Sequence, residues 1–151
     1  MRSFAKIGLF CLLTSFVYTS CHKNVITQAT SDDNIIKNYL STNHLTATKT
    51  GDALYYIITK QGTGAVPTAS SFITVAYTGS LSTGAVFDSN QDFETSMAST
   101  ILGWQEGLTY FKKGGSGMLL IPSALGYSAT ATGNVPANSV LIFTITLIDV
   151  K

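Results

Sequence analysis

The chain has 151 residues, room for one domain with an accessory segment, and 45% of them are apolar. Only 11% are charged, against about 25% in an ordinary soluble domain, and the formal net charge is +1. No basic patch offers a track for a phosphate backbone, so nucleic acid is not an expected partner. With two histidines and two cysteines in the whole chain, no metal or cofactor is expected either.

The N-terminus reads as an export signal. Arg2 and Lys6 precede the apolar run Ile7 to Tyr18, which is too short to span a bilayer comfortably. Thr19 and Ser20 are small and Cys21 follows. This resembles a bacterial lipoprotein signal, with residues 1–20 removed and Cys21 lipidated. Simple secretory cleavage near Ser20 is the alternative. Cys11 would leave with the signal and Cys21 would be acylated, so the mature domain would carry no thiol and no disulfide. Loss of Arg2 and Lys6 would leave seven basic against eight acidic side chains.

Residues 21–31 read as the lipidated cysteine and a polar tether. Residues 32–45 carry Ile35, Ile36, Tyr39 and Leu40 at helical spacing, with Ser31 placed to cap and acids in the first turn. This short amphipathic helix is expected on the outside of the domain, with His44 solvated near its end. A turn at Thr48 to Asp52 leads to a β-rich run, Leu54 to Thr59, and a Gly/Pro loop, Gln61 to Thr68.

Phe72 to Leu81 alternates, with Ile73, Val75 and Tyr77 on one face. Ser82 to Gly84 turns the chain, and Ala85 to Asp88 returns as a hairpin arm. Ser89 to Ser99 is polar and reads as irregular apart from Phe93 and Met97. Ile101, Trp104 and Leu108 then recur at i, i+3 and i+7, one helix face holding the only tryptophan. Gly103 and Gly107 make that helix poor on propensity, so it needs a sheet wrapped round it. Ser116 to Pro122 is a strand, Ser123 to Asn138 a long loop and Ser139 to Val150 the longest strand. In that last strand Leu141, Phe143, Ile145 and Leu147 share one face; Val140, Ile142, Ile148 and Val150 share the other. Short connections favour antiparallel pairing. The expected fold is α+β: a bent antiparallel sheet over one short helix.

Five pieces in order are distinctive: Val75-Ala76-Tyr77-Thr78-Gly79; Val86-Phe87-Asp88-Ser89; Ile101 through Leu108; Ile121-Pro122 with Gly126-Tyr127; and Val135 through Ser139 into Leu141-Ile142-Phe143. Over residues 51–151 the chain resembles the FKBP-type peptidyl-prolyl cis-trans isomerases, in the exported lipoprotein form. The resemblance implies a half-barrel sheet around a short helix and a pocket for proline. It implies substrate contacts from Tyr77, Phe87, Phe93, Thr100, Ile101, Trp104, Val135 and Phe143, with Trp104 as the floor. Asp88, Tyr127 and Tyr77 would be the catalytic polar groups. Asp88 would accept a hydrogen bond from Tyr77, the Tyr127 hydroxyl would bond the peptide and the Ile101 N–H would meet a substrate carbonyl. The implied partners are proline-containing polypeptides, a membrane through the lipid, and macrolide inhibitors of the family. The implied place is a membrane facing the periplasm or the cell surface.

The sequence departs from the family at several points. The Ser89 to Asp92 segment is short, and an arginine that pairs with the aspartate in some members is absent. Thr100 stands for valine, Asn134 for an aliphatic residue and Ala137 for a second proline. On spacing alone Phe87, Phe143 and Trp104 read as plain core. Three functions therefore compete: an isomerase acting on X-Pro bonds of exported proteins, a proline-segment binding or chaperone module with little turnover, and a surface lipoprotein without a ligand.

Overall fold

The computed structural model describes residues 19–151, with side chains from residue 27. Residues 1–18 of the signal sequence and the Cys21 side chain lie outside the described residues. Six strands form one antiparallel sheet in the order β1-β2-β5-β6-β3-β4. They are β1 (Thr48–Lys49), β2 (Tyr55–Lys60), β3 (Phe72–Leu81), β4 (Val86–Ser96), β5 (Ser116–Ile121) and β6 (Leu141–Val150). Helix α1 (Thr19–Thr42) precedes the sheet, and α2 (Leu102–Gly107) sits between β4 and β5.

The sheet divides the apolar side chains between two cores. On the α2 side, Ile73, Val75 and Tyr77 of β3 meet Leu141, Phe143, Ile145 and Leu147 of β6 around Trp104 and Leu108. On the other side, Tyr55, Leu120, Val140 and Ile142 pack with Ile36 of α1, flanked by Ile35, Tyr39 and Leu40. Strand alternation makes this split, since successive side chains point to opposite faces. Val150 breaks the pattern. Thr74 pairs with Asp149 but Val75 with Leu147, so β6 carries an extra residue there, and Val150 packs against the α2-side core rather than with Ile142.

Helix α2 owes its glycines to close packing. A Cβ on Gly103 would stand 2.4 Å from Ile121 Cγ2, and one on Gly107 2.6 Å from Leu119 Cδ1. The helix gives up propensity, about 1 kcal/mol per glycine, to lie directly on β5. It runs on as a 3-10 turn, Leu108–Tyr110.

Three elements differ from the sequence reading. β4 continues through the polar Ser89 to Ser96, which had read as irregular; the ladder to β3 supplies the order that composition does not. Thr48 and Lys49 pair with Tyr56 and Tyr55 instead of only turning. Helix α1 takes in residues read as tether, and Ser31 lies inside it rather than capping it. The reason is tertiary: Asp32 is buried against Ser123, and Asp33 binds Lys49 and Tyr55.

Candidate functional site

The sheet curves over α2 and leaves a cavity of about 270 Å³ on the α2 side. Six aromatic side chains line it. Trp104 lies at its base, with Tyr77 at 5.1 Å and Phe143 at 5.3 Å between ring centroids, both nearly perpendicular to the indole. Phe93 stands 5.7 Å from Tyr77, and Phe87 5.6 Å from Phe143, again edge to face. Such contacts favour these rings beyond simple burial. They lock one another and keep the hollow from collapsing.

Phe87 and Asp88 both line the cavity, although neighbours in a regular strand face opposite ways. A bulge resolves this. Gly79 faces Asp88 and Ser80 faces Val86, which leaves Phe87 as the extra residue. Gly79 completes the arrangement. A Cβ there would lie 2.7 Å from Phe87 Cζ and 2.8 Å from Phe143 Cε1, so the Phe87–Phe143 pair closes over a bare backbone.

The polar groups are few. The Tyr77 hydroxyl donates to Asp88 Oδ2 at 2.6 Å. Burial first, and the Asp88 carboxylate second, push the Tyr77 hydroxyl pKa well above the usual tyrosine range. Tyr77 is therefore a fixed donor, and Asp88, exposed at the rim, is held toward the cavity. Tyr127 reaches the opening from the loop after β5. The Ile101 N–H, just before α2, has no acceptor among the described residues, and neither does the Trp104 Nε1–H. Among the described residues no cluster of three or more His, Cys, Asp or Glu could hold a metal ion.

Residues 64–148 match the family model for FKBP-type peptidyl-prolyl cis-trans isomerases. The chain belongs to this family. It is 47% identical to the FKBP-type isomerase FkpA of Buchnera aphidicola (subspecies Schizaphis graminum) over 108 residues, 68% of this chain and 43% of that one. FkpA of Escherichia coli is 36% identical over 102 residues, 65% of this chain and 38% of its own. The crystal structure of the E. coli protein superposes with a TM-score of 0.73 at 29% identity, covering 88% of this chain and 65% of that one. A peptidyl-prolyl isomerase from Pseudomonas syringae gives the same score at 26% identity, with 83% and 94% covered. The chain spans less than half the length of the two FkpA sequences.

Seen as an FKBP-type domain, the fold gathers most of the residues named from the sequence. Tyr77, Phe87, Asp88, Phe93, Thr100, Ile101, Trp104, Tyr127 and Phe143 all line the one cavity. Val135 does not. It is 3% exposed and belongs to the core beneath, because paired backbone bonds between Thr132 and Val135 fold the loop tip back. The threonine in place of valine at position 100 is accommodated without an orphaned polar group. Its hydroxyl donates to the Met97 carbonyl at 2.7 Å, and its own carbonyl accepts from Gln105 Nε2 at 2.7 Å. Asn134 and Ala137, the other departures, are exposed. Sequence reasoning missed Thr95 and Ser99 on the wall and Gly79 under the aromatic pair. An extended reading of β4 would have brought in Thr95, one strand period beyond Phe93.

Proposed function

We propose that the protein is a peptidyl-prolyl cis-trans isomerase acting on X-Pro bonds of exported polypeptides. The observation that carries this reading is the cavity itself: an aromatic hollow on Trp104, rimmed by one bonded Tyr77–Asp88 pair. An X-Pro bond has cis and trans forms within about 1 kcal/mol. Their exchange is slow because rotation breaks amide resonance, with a barrier of about 18–20 kcal/mol. The twisted amide is less polar than the planar one. A water-poor hollow therefore favours the twisted state, and only such differential binding raises the rate. Trp104, Phe87, Phe143 and Tyr77 hold the proline ring. The Ile101 N–H and the Tyr127 hydroxyl bond substrate carbonyls and fix the angle of approach. Asp88 keeps Tyr77 oriented and sets the field at the prolyl carbonyl. No covalent intermediate is involved. A macrolide inhibitor of the family would occupy the same hollow.

The test is a protease-coupled assay on X-Pro peptides with the purified protein. Catalysis above the uncatalysed rate, competed by such a macrolide, supports the reading. No catalysis, with Trp104 fluorescence still changed by the macrolide, leaves a proline-binding module. No change in either leaves a surface lipoprotein without a ligand.

The placement is a second part of the same proposal. Residues 1–20 act as an export signal, Cys21 carries lipid and the domain from residue 51 faces the periplasm or the cell surface. Among the described residues no helix is long and apolar enough to cross a membrane. More than one acyl chain gives a stable anchor. Cys21→Ser should move the protein to the soluble fraction; unchanged membrane association refutes the anchor.

A further inference from the structure

Helix α1 reaches the loop of Tyr127 through one buried contact. Asp32 is 1% exposed. Its Oδ2 accepts from the Ser123 backbone N–H at 2.8 Å and from the Ser123 hydroxyl at 2.7 Å. Gln28, one turn earlier, donates to Asp32 Oδ1 at 2.7 Å and aims the carboxyl group. Ser123, 2% exposed, opens the 3-10 turn Ser123–Leu125 that leads into Gly126 and Tyr127. Its carbonyl accepts from the Gly126 N–H at 3.0 Å and from the Ser128 N–H at 2.9 Å. One serine is thus held by the helix through its N–H and hydroxyl. Through its C=O it holds the chain on both sides of Tyr127.

Helix docking alone does not require this. Ile36 and its neighbours already supply an apolar seam, and burying a carboxyl group is costly unless its partners are in place. What the Asp32 contact adds is direction. An apolar residue would hold α1 to the sheet but would fix neither the Ser123 N–H nor its hydroxyl. Ser128, directly after Tyr127, has φ +53, a left-handed conformation that serine adopts only when its surroundings impose it. The Ser123 carbonyl bonded to the Ser128 N–H is part of that surrounding, and the Asn138 N–H, bonded to the Ser128 carbonyl at 2.7 Å, is the rest.

We propose that Asp32 is a positioning residue, which fixes Ser123 and through it the place of the Tyr127 hydroxyl at the cavity, so that helix α1 sets the alignment of the pocket. The kinetic consequence rests on the isomerase reading; the structural consequence does not. Misplacing a contacting group by about 1 Å can cost up to about a hundredfold in rate.

Two measurements on the purified protein test this. The first is amide hydrogen exchange by NMR. Asp32→Ala should speed exchange at Gly126 and Ser128 about tenfold or more, with the Phe143 and Ile145 amides of β6 unchanged. The second is a double-mutant cycle on kcat/KM. Asp32→Ala should lower it about threefold to fivefold in the parent but less than about 1.5-fold when Tyr127→Phe is already present, since the two act through one hydroxyl. Asp32→Asn, which keeps an acceptor toward Ser123, should recover most of the loss. Unchanged exchange at Gly126 and Ser128 overturns the proposal, and so does a kinetic loss of equal size in both backgrounds. If Asp32→Ala does not fold, Ser123→Ala removes the hydroxyl bond alone and should speed the same two amides by a smaller factor; no increase there is equally decisive against it. A parent protein without turnover refutes the isomerase reading, and the exchange comparison still decides this one.

Discussion

The two faces of the sheet use the same strands for opposite ends. On one face, α1 fills the groove with aliphatic side chains, and Ile36, Leu120 and Ile142 are buried with at most 1% exposure. On the other, α2 has six residues and supports one large indole, and the rings around it meet edge to face, with a hollow left between them. Strand β6 serves both, sending Ile142 to the filled side and Phe143 to the open one. One face is thus a place to store stability. The other holds an under-filled space open by locking its walls. Substitutions should separate the two properties, except at Ser123, where the faces are joined.

The largest effect tests that separation directly. Ile36→Ala removes three carbons from the filled face and should cost about 2–5 kcal/mol of stability, a large share of the roughly 5–15 kcal/mol a domain has. Denaturant midpoints would measure it. Turnover per folded molecule should stay within about twofold of the parent. A parallel fall in both would show that the faces are one mechanical unit.

Asp88→Ala should strike the open face in both properties. It leaves the buried Tyr77 hydroxyl without its acceptor, a loss of about 1–3 kcal/mol of stability. It also frees the Tyr77 ring and removes the carboxylate at the rim, which should lower kcat/KM by about tenfold or more. Tyr127→Phe comes next, at about 1 kcal/mol, about fivefold, since on the proposed mechanism it removes one neutral hydrogen bond to substrate. Tyr127 makes no hydrogen bond through its hydroxyl among the described residues, so the stability of this variant should match the parent within about 0.5 kcal/mol. Equal kinetics for Tyr127→Phe and parent would remove that hydroxyl from the mechanism.

How much of this was legible depended on whether a residue's surroundings lay in its own strand. Alternation in Phe72 to Leu81 and Leu141 to Val150 announced two central strands, and Trp104 with Leu108 announced the helix between them. The edge strand β4 stayed hidden. Its segment Ser89 to Ser96 is mostly polar, because most of it faces solvent, and an edge strand needs no alternation there. Bulges were also invisible: no pattern marks Phe87 as the extra residue that lets Asp88 share its cavity, nor the slip that turns Val150 inward. Helix α1 misled for a different reason. Polar Gln28 looked like solvated tether and Asp32 like a first-turn helix acid, but their partners lie about a hundred residues away in Asn138 and Ser123. The pocket residues came through family resemblance, because spacing alone cannot tell a core phenylalanine from one that borders a hollow. Val135, named by position, lies in the core beneath the hollow, where the loop tip folds back.

The smallest effect should distinguish the faces by pH. Asp33 accepts from Lys37, Lys49 and Tyr55, the first two at 2.6 Å and the last at 2.7 Å. Those hydrogen bonds, Lys37 first, hold its carboxyl well below the usual carboxylate range. An unfolded aspartate titrates near about 3.9, so the folded chain binds fewer protons just below that pH. The contribution of Asp33 is therefore complete above about pH 4 and fades as pH falls further. Tyr77 behaves in the opposite sense. Its folded pKa is raised, while an unfolded tyrosine loses its proton near about 10. Its contribution is complete below about pH 10 and fades as pH rises beyond that. Other groups share both limbs: Asp149 beside Lys113 on the acid side, and Tyr55, Tyr110, Lys37 and Lys49 on the alkaline side. The variants therefore matter more than the raw curve. Asp33→Asn should flatten the acid limb of stability and also soften the alkaline limb, because the Asp33 carboxylate holds Lys37, Lys49 and, after burial, Tyr55 above their usual ranges. Tyr77→Phe should change the alkaline limb alone. Because the Lys37 and Lys49 partners of Asp33 are well exposed, salt should shrink the Asp33→Asn difference on the acid side and spare the Tyr77→Phe difference, where the hydroxyl lies in the aromatic wall. Stability measured against pH at two salt concentrations would show it, and equal salt sensitivity in the two differences would mean that the Tyr77–Asp88 bond is exposed to water rather than sheltered by the rings.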